Sequence, residues 1–480
     1  MDGIKRKAVY AVKWNFISQI LRIIFKFGIM VVLARLLTPN DFGLMAMIFV
    51  ITDISYIFID SGFNSALIQK KQVSQNEYSS VFFINLLIGL FFTLLFWNLS
   101  PYIANFYEQI KIKELTQVVS IVFFIDAFSI VQRAVLNREI AFKKLAIIDT
   151  VGNLLGGLIG ISCALYGLGV WSLVWSHVFG QLIFVLLLWF SSSWRPALVF
   201  NIGAIKELWK YSFNLVSGRI LNHISKRVDE IFVAKLFSAN QLGLYVRARA
   251  NIELPKTFIG QVVSRSFFPI LSKLQDDMPN FRKLYFSILN FIVFVSAPLF
   301  IFLILAADEL VGLLYGEKWL GLVYYFQLFC VVGLINVINL FKMKVINALG
   351  RPDLYLKVTL IVSPLRVLIF LFIIFISKTI EPSIFIWIHC IFAIITFLLS
   401  TFFIKKLISY NYFDEFRIAN KEIVLSVGIG LFCYFFLPLL PLNEIFNLII
   451  VTLVYFTLYL LFAYKFNFLG IKTLIKLLKF

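Results

Sequence analysis

Residues Tyr211–Lys256 read YSFNLVSGRILNHISKRVDEIFVAKLFSANQLGLYVRARANIELPK. Two stretches of membrane-spanning length flank a short turn at Ser238–Gln241, which predicts a pair of transmembrane helices. A charge near the middle of a bilayer helix costs about 2.5–3.5 kcal/mol on insertion scales, so charged side chains there are expected to face a protein interior or a hydrated cavity. The charged residues inside this pair are Arg219, Lys226, Arg227, Asp229, Glu230, Arg247, Arg249, Glu253 and Lys256.

The composition of the whole chain is that of a membrane protein. Of its 480 residues, 61% are hydrophobic and only 14% are charged, and 55 are Phe. The mean hydropathy is +0.93. A soluble protein could not cover so much apolar surface. The apolar stretches are continuous rather than alternating in polarity, which favours helices over the strands of a membrane barrel.

Windows of about 20 apolar residues predict about fourteen transmembrane helices. We therefore expect an all-α polytopic membrane protein with both termini on one side of the membrane. The predicted helices are Val12–Ala34, Phe42–Ala66, Ser79–Leu99, Leu115–Val135, Leu145–Tyr166, Gly169–Phe190, Tyr211–Lys235, Leu242–Arg265, Leu284–Leu305, Leu320–Phe341, Leu354–Ile376, Pro382–Ile404, Ile423–Leu437 and Leu442–Tyr464.

The basic residues indicate which side faces the cytoplasm. Most of the 44 Lys and Arg residues fall in the loops on the side of the two termini, and few fall in the others. The positive-inside rule assigns the basic side to the cytoplasm. The formal net charge of +19 is thus a topology signal, and we expect no nucleic-acid partner.

The sequence contains no pattern typical of catalysis or metal binding. The four Cys lie singly in apolar runs, the three His are dispersed, and the phosphate-binding motif GxxxxGK[ST] is absent. We expect no catalytic residue, no metal and no other cofactor. The chain is predicted not to be an enzyme.

An internal repeat divides the chain. Ala34–Leu44 recurs as Ala234–Leu244, with five of eleven residues identical. We interpret the chain as two parallel six-helix units followed by a helix pair, which gives an N-terminal lobe at 1–210, a C-terminal lobe at 211–404, and a final helix pair with a basic tail at 405–480. Parallel repeats that rock about a site at mid-membrane are a known transporter design.

The charges inside the predicted helices concentrate in the first two helices of each unit, and the bases outnumber the acids there. Because an unpaired buried charge is costly, this surplus predicts a cationic, hydrated cavity that binds an anion. The alternative is a set of buried ion pairs that lock helices together. Depth in the membrane and helical spacing suggest three pairs: Lys26 with Asp53, Lys226 with Glu230, and Arg249 with Glu253.

Short motifs along nearly the whole chain carry a resemblance to a known family. They are Leu36–Gly43, Asp60–Phe63 with Ala66–Gln69, Ser193–Pro196, Arg265–Pro269 with Gln275–Asp277, Gly316–Trp319 and Ala348–Asp353. The sequence resembles the polysaccharide transporter (Wzx-type) flippase family, in the branch of the colanic-acid and teichuronic-acid exporters. That family lies in the MOP exporter superfamily, together with the MATE multidrug exporters and the lipid II flippase.

The resemblance implies a fold and an activity. It implies a V-shaped, MATE-like bundle of two pseudo-symmetric lobes that alternates access, and that moves an undecaprenyl-pyrophosphate-linked oligosaccharide across the bacterial inner membrane. Basic residues of the cavity would bind the pyrophosphate: Arg22, Lys26, Arg219, Lys226, Arg227 and Arg249. Coupling to a proton or sodium gradient would need a carboxylate, and the candidates are Asp53, Asp60, Asp229 and Glu253.

The expected partners are the lipid-linked oligosaccharide and membrane lipids, with a polymerase and a chain-length regulator of the same pathway as further candidates. Two other functions remain open. A MATE-like exporter of cationic drugs should have an acidic cavity, which the basic surplus argues against. A polytopic glycosyltransferase or polymerase should have a large external loop, whereas the predicted external loops are short, the longest being Ser100–Glu114.

Overall fold

The computed structural model describes residues 23–60, 63–203, 205–206, 227–376, 381–436, 444–466, 468 and 470. The regular elements within these ranges are all helical. Numbered along the chain, the helices are α1 (residues 23–36), α2 (Pro39–Asp60), α3 (Phe63–Gln69), α4 (Gln75–Tyr107), α5 (Lys111–Ala127), α6 (Ile130–Arg138), α7 (Phe142–Leu165), α8 (Val170–Ser191), α9 (residues 227–236), α10 (Ala239–Val262), α11 (Phe268–Lys273), α12 (Met278–Leu305), α13 (Ala307–Tyr315), α14 (Val323–Ala348), α15 (Pro352–Ile376), α16 (Ser383–Ile408), α17 (Tyr412–Phe436) and α18 (Glu444–Lys465).

Ten helical segments in the described ranges are long and apolar enough to cross a membrane, so the chain is a multi-pass membrane protein. Each of the ten overlaps one predicted span. The remaining four predictions are those rich in charge: 42–66 and 242–265 overlap α2 and α10, whereas about half of 12–34 and most of 211–235 lie outside the described residues. The total of fourteen therefore stays a prediction.

The chain divides into two compact units, residues 1–243 and 244–480. The predicted lobe boundary at 210/211 lies outside the described residues, and the one at 404/405 lies in the last turn of α16. Both boundaries stay predictions.

Glycine allows α7 and α8 of the first unit to pack closely. Gly152, Gly156 and Gly160 follow one another at intervals of four on α7. A Cβ atom on Gly156 would lie 2.6 Å from the Cα atom of Gly180 on α8. Small residues at this spacing let the backbones of two membrane helices approach closely. The resulting van der Waals contacts stabilise the pair, because lipid provides no hydrophobic driving force for helix association.

The two copies of the repeat begin their second helix in the same way. The Thr38 backbone N–H donates to Asp41 Oδ2 at 2.9 Å, and the Asp41 N–H donates to Thr38 Oγ1 at 3.3 Å. In the second copy the Ser238 and Gln241 side chains make the equivalent two bonds, both at 3.3 Å. Each pair is a capping box, which satisfies backbone donors that a helix leaves unpaired at its start.

These two helix starts also contact each other within the first unit. A Cβ atom on Gly43 would lie 1.6 Å from the Ala239 carbonyl oxygen, and one on Gly243 would lie 1.8 Å from that of Pro39. The two contacts are equivalent under the repeat. Gly43 corresponds to Gly243, and Pro39 corresponds to Ala239, so each Gly contacts the first helical residue of the other copy. The repeat copies therefore meet backbone to backbone, at a place where only Gly fits.

The second unit has its core among α12, α14, α16, α17 and α18. Buried Phe294, Ile429 and Tyr459 form one apolar cluster of α12, α17 and α18. The rings of Tyr285 on α12 and Phe341 on α14 stack with their centroids 5.6 Å apart. The core of this unit thus combines aromatic rings with a few polar side chains, which are described below.

Candidate functional site

Helices α2 and α9 bring three charged side chains together in the first unit. Asp53 lies in the second half of α2, about 20 Å from its N-terminal end at the rise of an α-helix. Arg227 starts the described part of α9, and its Nη2 atom lies 3.4 Å from Asp53 Oδ2. Its Nη1 atom donates to Glu230 Oε2 at 3.0 Å. One guanidinium thus joins carboxylates of two helices, and we call Asp53, Arg227 and Glu230 the Arg227 bridge.

The members of the Arg227 bridge differ in exposure. The Arg227 side chain is 37% exposed, the Asp53 side chain 23%, and the Glu230 side chain only 3%. The adjacent Asp229 is fully buried. Two carboxylates contact the guanidinium, while the Arg227 side chain remains partly exposed. A planar guanidinium binds phosphate well, because its parallel donors match two phosphate oxygens.

The structure places only some of the predicted site residues. Arg22, Arg219 and Lys226 lie outside the described residues, and so does the side chain of Asp60, which ends α2. Asp53, Arg227 and Asp229 lie in the first unit, the first two in contact. Arg249 is half-buried and Glu253 exposed, both on α10 in the second unit.

The predicted pairing of Lys26 with Asp53 is wrong. Lys26 is exposed on α1, and it makes no ion pair in the described part of the chain. Asp53 instead contacts Arg227, because α9 presents a guanidinium to the second half of α2. Glu253 has Lys256 as an ion-pair partner, at 2.7 Å and three residues further along α10.

A buried ion pair in the second unit was missed from the sequence. Lys342 Nζ lies 2.5 Å from Glu415 Oε2, and neither side chain is more than 1% exposed. Glu415 also accepts hydrogen bonds from Tyr285 at 2.6 Å, from Thr401 at 3.0 Å and from Tyr410. Burial, together with the Glu415 carboxylate, raises the pKa of the Tyr410 hydroxyl, so this group remains a protonated donor.

The boundaries of two predicted helices explain why this pair was missed. The predicted span ended at Phe341, which placed Lys342 in a cytoplasmic loop, whereas α14 continues to Ala348. The span predicted from Ile423 left out the first part of α17, which begins at Tyr412. The sequence did contain a signal for the start of α17, namely Asn411 followed three residues later by Asp414. In the structure Asp414 Oδ2 accepts the Asn411 backbone N–H at 3.3 Å.

A second buried acid, Glu422, lies further along α17. Its side chain accepts from the Tyr459 hydroxyl at 2.9 Å and from the Asn290 amide at 3.5 Å. Both donors are neutral, and no Lys or Arg of the described ranges forms an ion pair with it. A buried carboxyl group held only by neutral donors is a candidate for proton or cation binding.

Comparison with known proteins gives a family match. A family model described as "Polysaccharide biosynthesis protein" matches residues 32–324, which is more than half of the chain. The teichuronic acid biosynthesis protein TuaB of Bacillus subtilis (strain 168) is 25% identical over 437 residues, which is 90% of each chain. The lipopolysaccharide biosynthesis protein WzxC of Escherichia coli (strain K12) is 24% identical over 361 residues, covering 74% of this chain and 73% of its own.

A solved structure gives a fold match. The lipid II flippase MurJ in an inward closed conformation superposes with a TM-score of 0.75, over 95% of this chain and 98% of that one. The two sequences are only 17% identical, so this likeness concerns the fold alone. It confirms the predicted polytopic all-α architecture.

Proposed function

Because the chain belongs to the polysaccharide biosynthesis protein family, we propose that it is a flippase for a lipid-linked oligosaccharide, the repeat unit of an O-antigen, capsule or exopolysaccharide. The family match over residues 32–324 carries the proposal. TuaB and WzxC are named for the biosynthesis of teichuronic acid and lipopolysaccharide. A polysaccharide made from lipid-linked units needs a membrane protein to move them across the bilayer, and this chain is a multi-pass membrane protein.

In this proposal the Arg227 bridge is part of the site for the pyrophosphate of an undecaprenyl-linked substrate. The 3.4 Å contact with Asp53 is longer than the 3.0 Å contact with Glu230, so the substrate would compete most easily for the donors that face Asp53. Glu230 would keep the guanidinium oriented. The other bases proposed for the site are Arg22, Lys26, Arg219, Lys226 and Arg249.

Transport by alternating access needs no bond chemistry, and we propose a transporter rather than an enzyme. A substrate shifts the equilibrium between two conformations only by the difference in its affinity for them. When a phosphate takes the Asp53 side of Arg227, the Asp53 carboxylate loses that cation, and a coupling ion would take its place. Protonation of Asp53 would then couple substrate binding to a proton gradient. Asp60, Asp229 and Glu253 remain the other proposed coupling groups, with sodium as the alternative ion.

The proposal includes a location and partners. The protein would lie in the bacterial inner membrane with both termini in the cytoplasm, as the distribution of basic loops indicates. A polymerase and a chain-length regulator of the same pathway would receive the flipped units. A MATE-like exporter of cationic drugs is the alternative, and it predicts drug resistance rather than surface polysaccharide.

Complementation tests the proposed site. In a strain that lacks this gene, wild-type protein should restore surface polysaccharide, whereas Lys26→Ala, Arg219→Ala and Arg227→Gln should each reduce it by about tenfold or more. A loss of one charge-assisted contact to phosphate has that magnitude. Surface polymer is quantified, and membrane insertion is followed by immunoblot.

A matched control comes from α9 itself. Lys235 is 36% exposed and pairs with Glu108 at 2.9 Å, so Lys235→Ala removes one base without touching the Arg227 bridge. This variant should support normal surface polymer. Full export by all three site variants would contradict the proposed binding site.

A further inference from the structure

A groove opens in the second unit where three helices end or begin. It lies between the start of α12, the end of α16 and the start of α17, and its volume is about 740 Å³. Three basic side chains line it, Arg282, Lys405 and Lys406, together with one acidic side chain, Asp414. We call it the α16–α17 groove. It does not include any member of the Arg227 bridge.

The bases of the α16–α17 groove have no ion-pair partner among the residues that the structure describes. None of Arg282, Lys405 and Lys406 has a carboxylate within ion-pair distance in the described ranges, and the Nε atom of Arg282 is buried without a hydrogen-bond partner. Lys405 Nζ lies 3.7 Å from the centroid of the Tyr412 ring, which holds it over the groove. The Asp414 carboxylate instead accepts the Asn411 backbone N–H at the start of α17. The groove therefore presents a net positive charge.

One lining residue of the groove belongs to the buried network around Glu415. Tyr410 lines it and donates its hydroxyl proton to Glu415, the acid that the buried Lys342 neutralises. Because Glu415 pairs with Lys342 and does not line the groove, its charge does not cancel that of Lys405 and Lys406. The same network fixes the turn between α16 and α17, so the basic side chains start from a preorganised backbone.

Exposed aromatic side chains lie close in sequence to the groove residues on both α16 and α17, and Phe402 itself lines the groove. Phe402 is 51% exposed, one turn before Lys405 and Lys406 on α16, and Phe416 is 46% exposed on α17. In a membrane helix such rings contact acyl chains, whereas lysines at the helix end contact headgroups. The groove thus combines an anion-binding end with an apolar flank.

We propose that the α16–α17 groove binds an anionic phospholipid by its headgroup phosphate. Three unneutralised bases suit a phosphodiester, and the adjacent exposed rings suit the acyl chains, which inorganic phosphate lacks. Basic pockets between transmembrane helices on the cytoplasmic side recognise anionic headgroups in this way. The site is separate from the one proposed for the transported substrate, and it would anchor α12, α16 and α17 to the leaflet.

Native mass spectrometry of the purified full-length protein in detergent tests this proposal. The wild type is titrated with phosphatidylglycerol and with phosphatidylcholine, and then with phosphatidylglycerol in the presence of excess inorganic phosphate. We expect tight binding of the anionic lipid, weak binding of the zwitterionic one, and no displacement by phosphate. The Lys405→Gln/Lys406→Gln variant should bind phosphatidylglycerol about tenfold more weakly.

The matched control is Lys143→Gln/Lys144→Gln, which removes another adjacent lysine pair at the predicted cytoplasmic side and lies outside the groove. It should bind phosphatidylglycerol as the wild type does, and the thermal stability of both variants shows that they are folded. Unchanged phosphatidylglycerol binding by Lys405→Gln/Lys406→Gln would overturn the proposal. So would equal binding of the two lipids, and displacement by inorganic phosphate would identify a free-phosphate site instead.

Discussion

Arg227 and Lys342 illustrate two ways of keeping a positive charge inside an apolar helix bundle. Arg227 is 37% exposed between Asp53 and Glu230, so an incoming anion can reach it. Lys342 is fully buried, and the Glu415 carboxylate beside it is saturated with donors. Only the first arrangement leaves donors accessible to a ligand. The second serves to hold helices α12, α14, α16 and α17 in register.

Removal of one partner of the buried pair should therefore destabilise the protein strongly. Lys342→Met leaves the Glu415 charge buried and uncompensated, which costs about 3–5 kcal/mol. The thermal unfolding midpoint of the purified protein should fall clearly. The double variant Lys342→Met/Glu415→Gln leaves no buried charge and should recover part of the loss. An unchanged midpoint for the single variant would show that the pair does not support the fold.

Sequence reasoning proposed both Asp53 and Arg227 for the site, because charges are rare in membrane helices. It could not identify their contact, since the side that α9 turns toward α2 depends on tertiary packing. It also assigned Lys342 to a loop, because the predicted apolar span ended at Phe341, directly before this lysine, whereas α14 continues to Ala348. In the structure Lys342 is buried inside the continued helix.

At the scale of elements, the contact between the two repeat copies is the most constrained packing in the first unit. The capping boxes at Thr38 and Ser238 fix where α2 and α10 begin. Gly43 and Gly243 then let the two backbones touch. The sequence revealed the repeat, but it could not show that one copy packs on the other.

Alanine at this contact tests its importance. Gly43→Ala places a Cβ atom onto the Ala239 carbonyl oxygen, so α2 and α10 must separate, at a cost of about 3 kcal/mol. The unfolding midpoint should drop. Gly428→Ala on α17 is the control, because a Cβ atom there meets nothing within 4 Å and the change should be neutral or stabilising by about 1 kcal/mol. Equal effects of the two substitutions would rule out a specific contact.

The helix pair α7 and α8 carried a signal that the sequence analysis did not use. Gly152, Gly156 and Gly160 recur every four residues in an apolar helix, which is the pattern of a close helix contact. The apolar spans themselves were predictable, because about 20 apolar residues are needed to cross a bilayer. The charged helices were predictable as helices only in part, since charge lowers the signal on which that prediction depends.

At the scale of the whole molecule, two comparisons apply to the same chain: one of its sequence with a family, and one of its fold with that of MurJ. The family match covers 32–324, and the fold match covers 95% of the chain. The predicted charge bias adds an orientation with a basic cytoplasmic side. The family match supports a protein that passes a lipid-linked glycan from the cytoplasmic to the outer leaflet, and the fold match supports the architecture alone.

The most direct test of this account is the leaflet in which lipid-linked repeat units reside. Spheroplasts of a strain lacking the gene, and of the same strain complemented with it, are treated with a glycan-modifying reagent that does not cross the membrane. We predict that the repeat units of the deletion strain are inaccessible and accumulate, and that complementation makes them accessible. Accessible lipid-linked units in the deletion strain, at the level of the complemented strain, would contradict the proposed flippase activity.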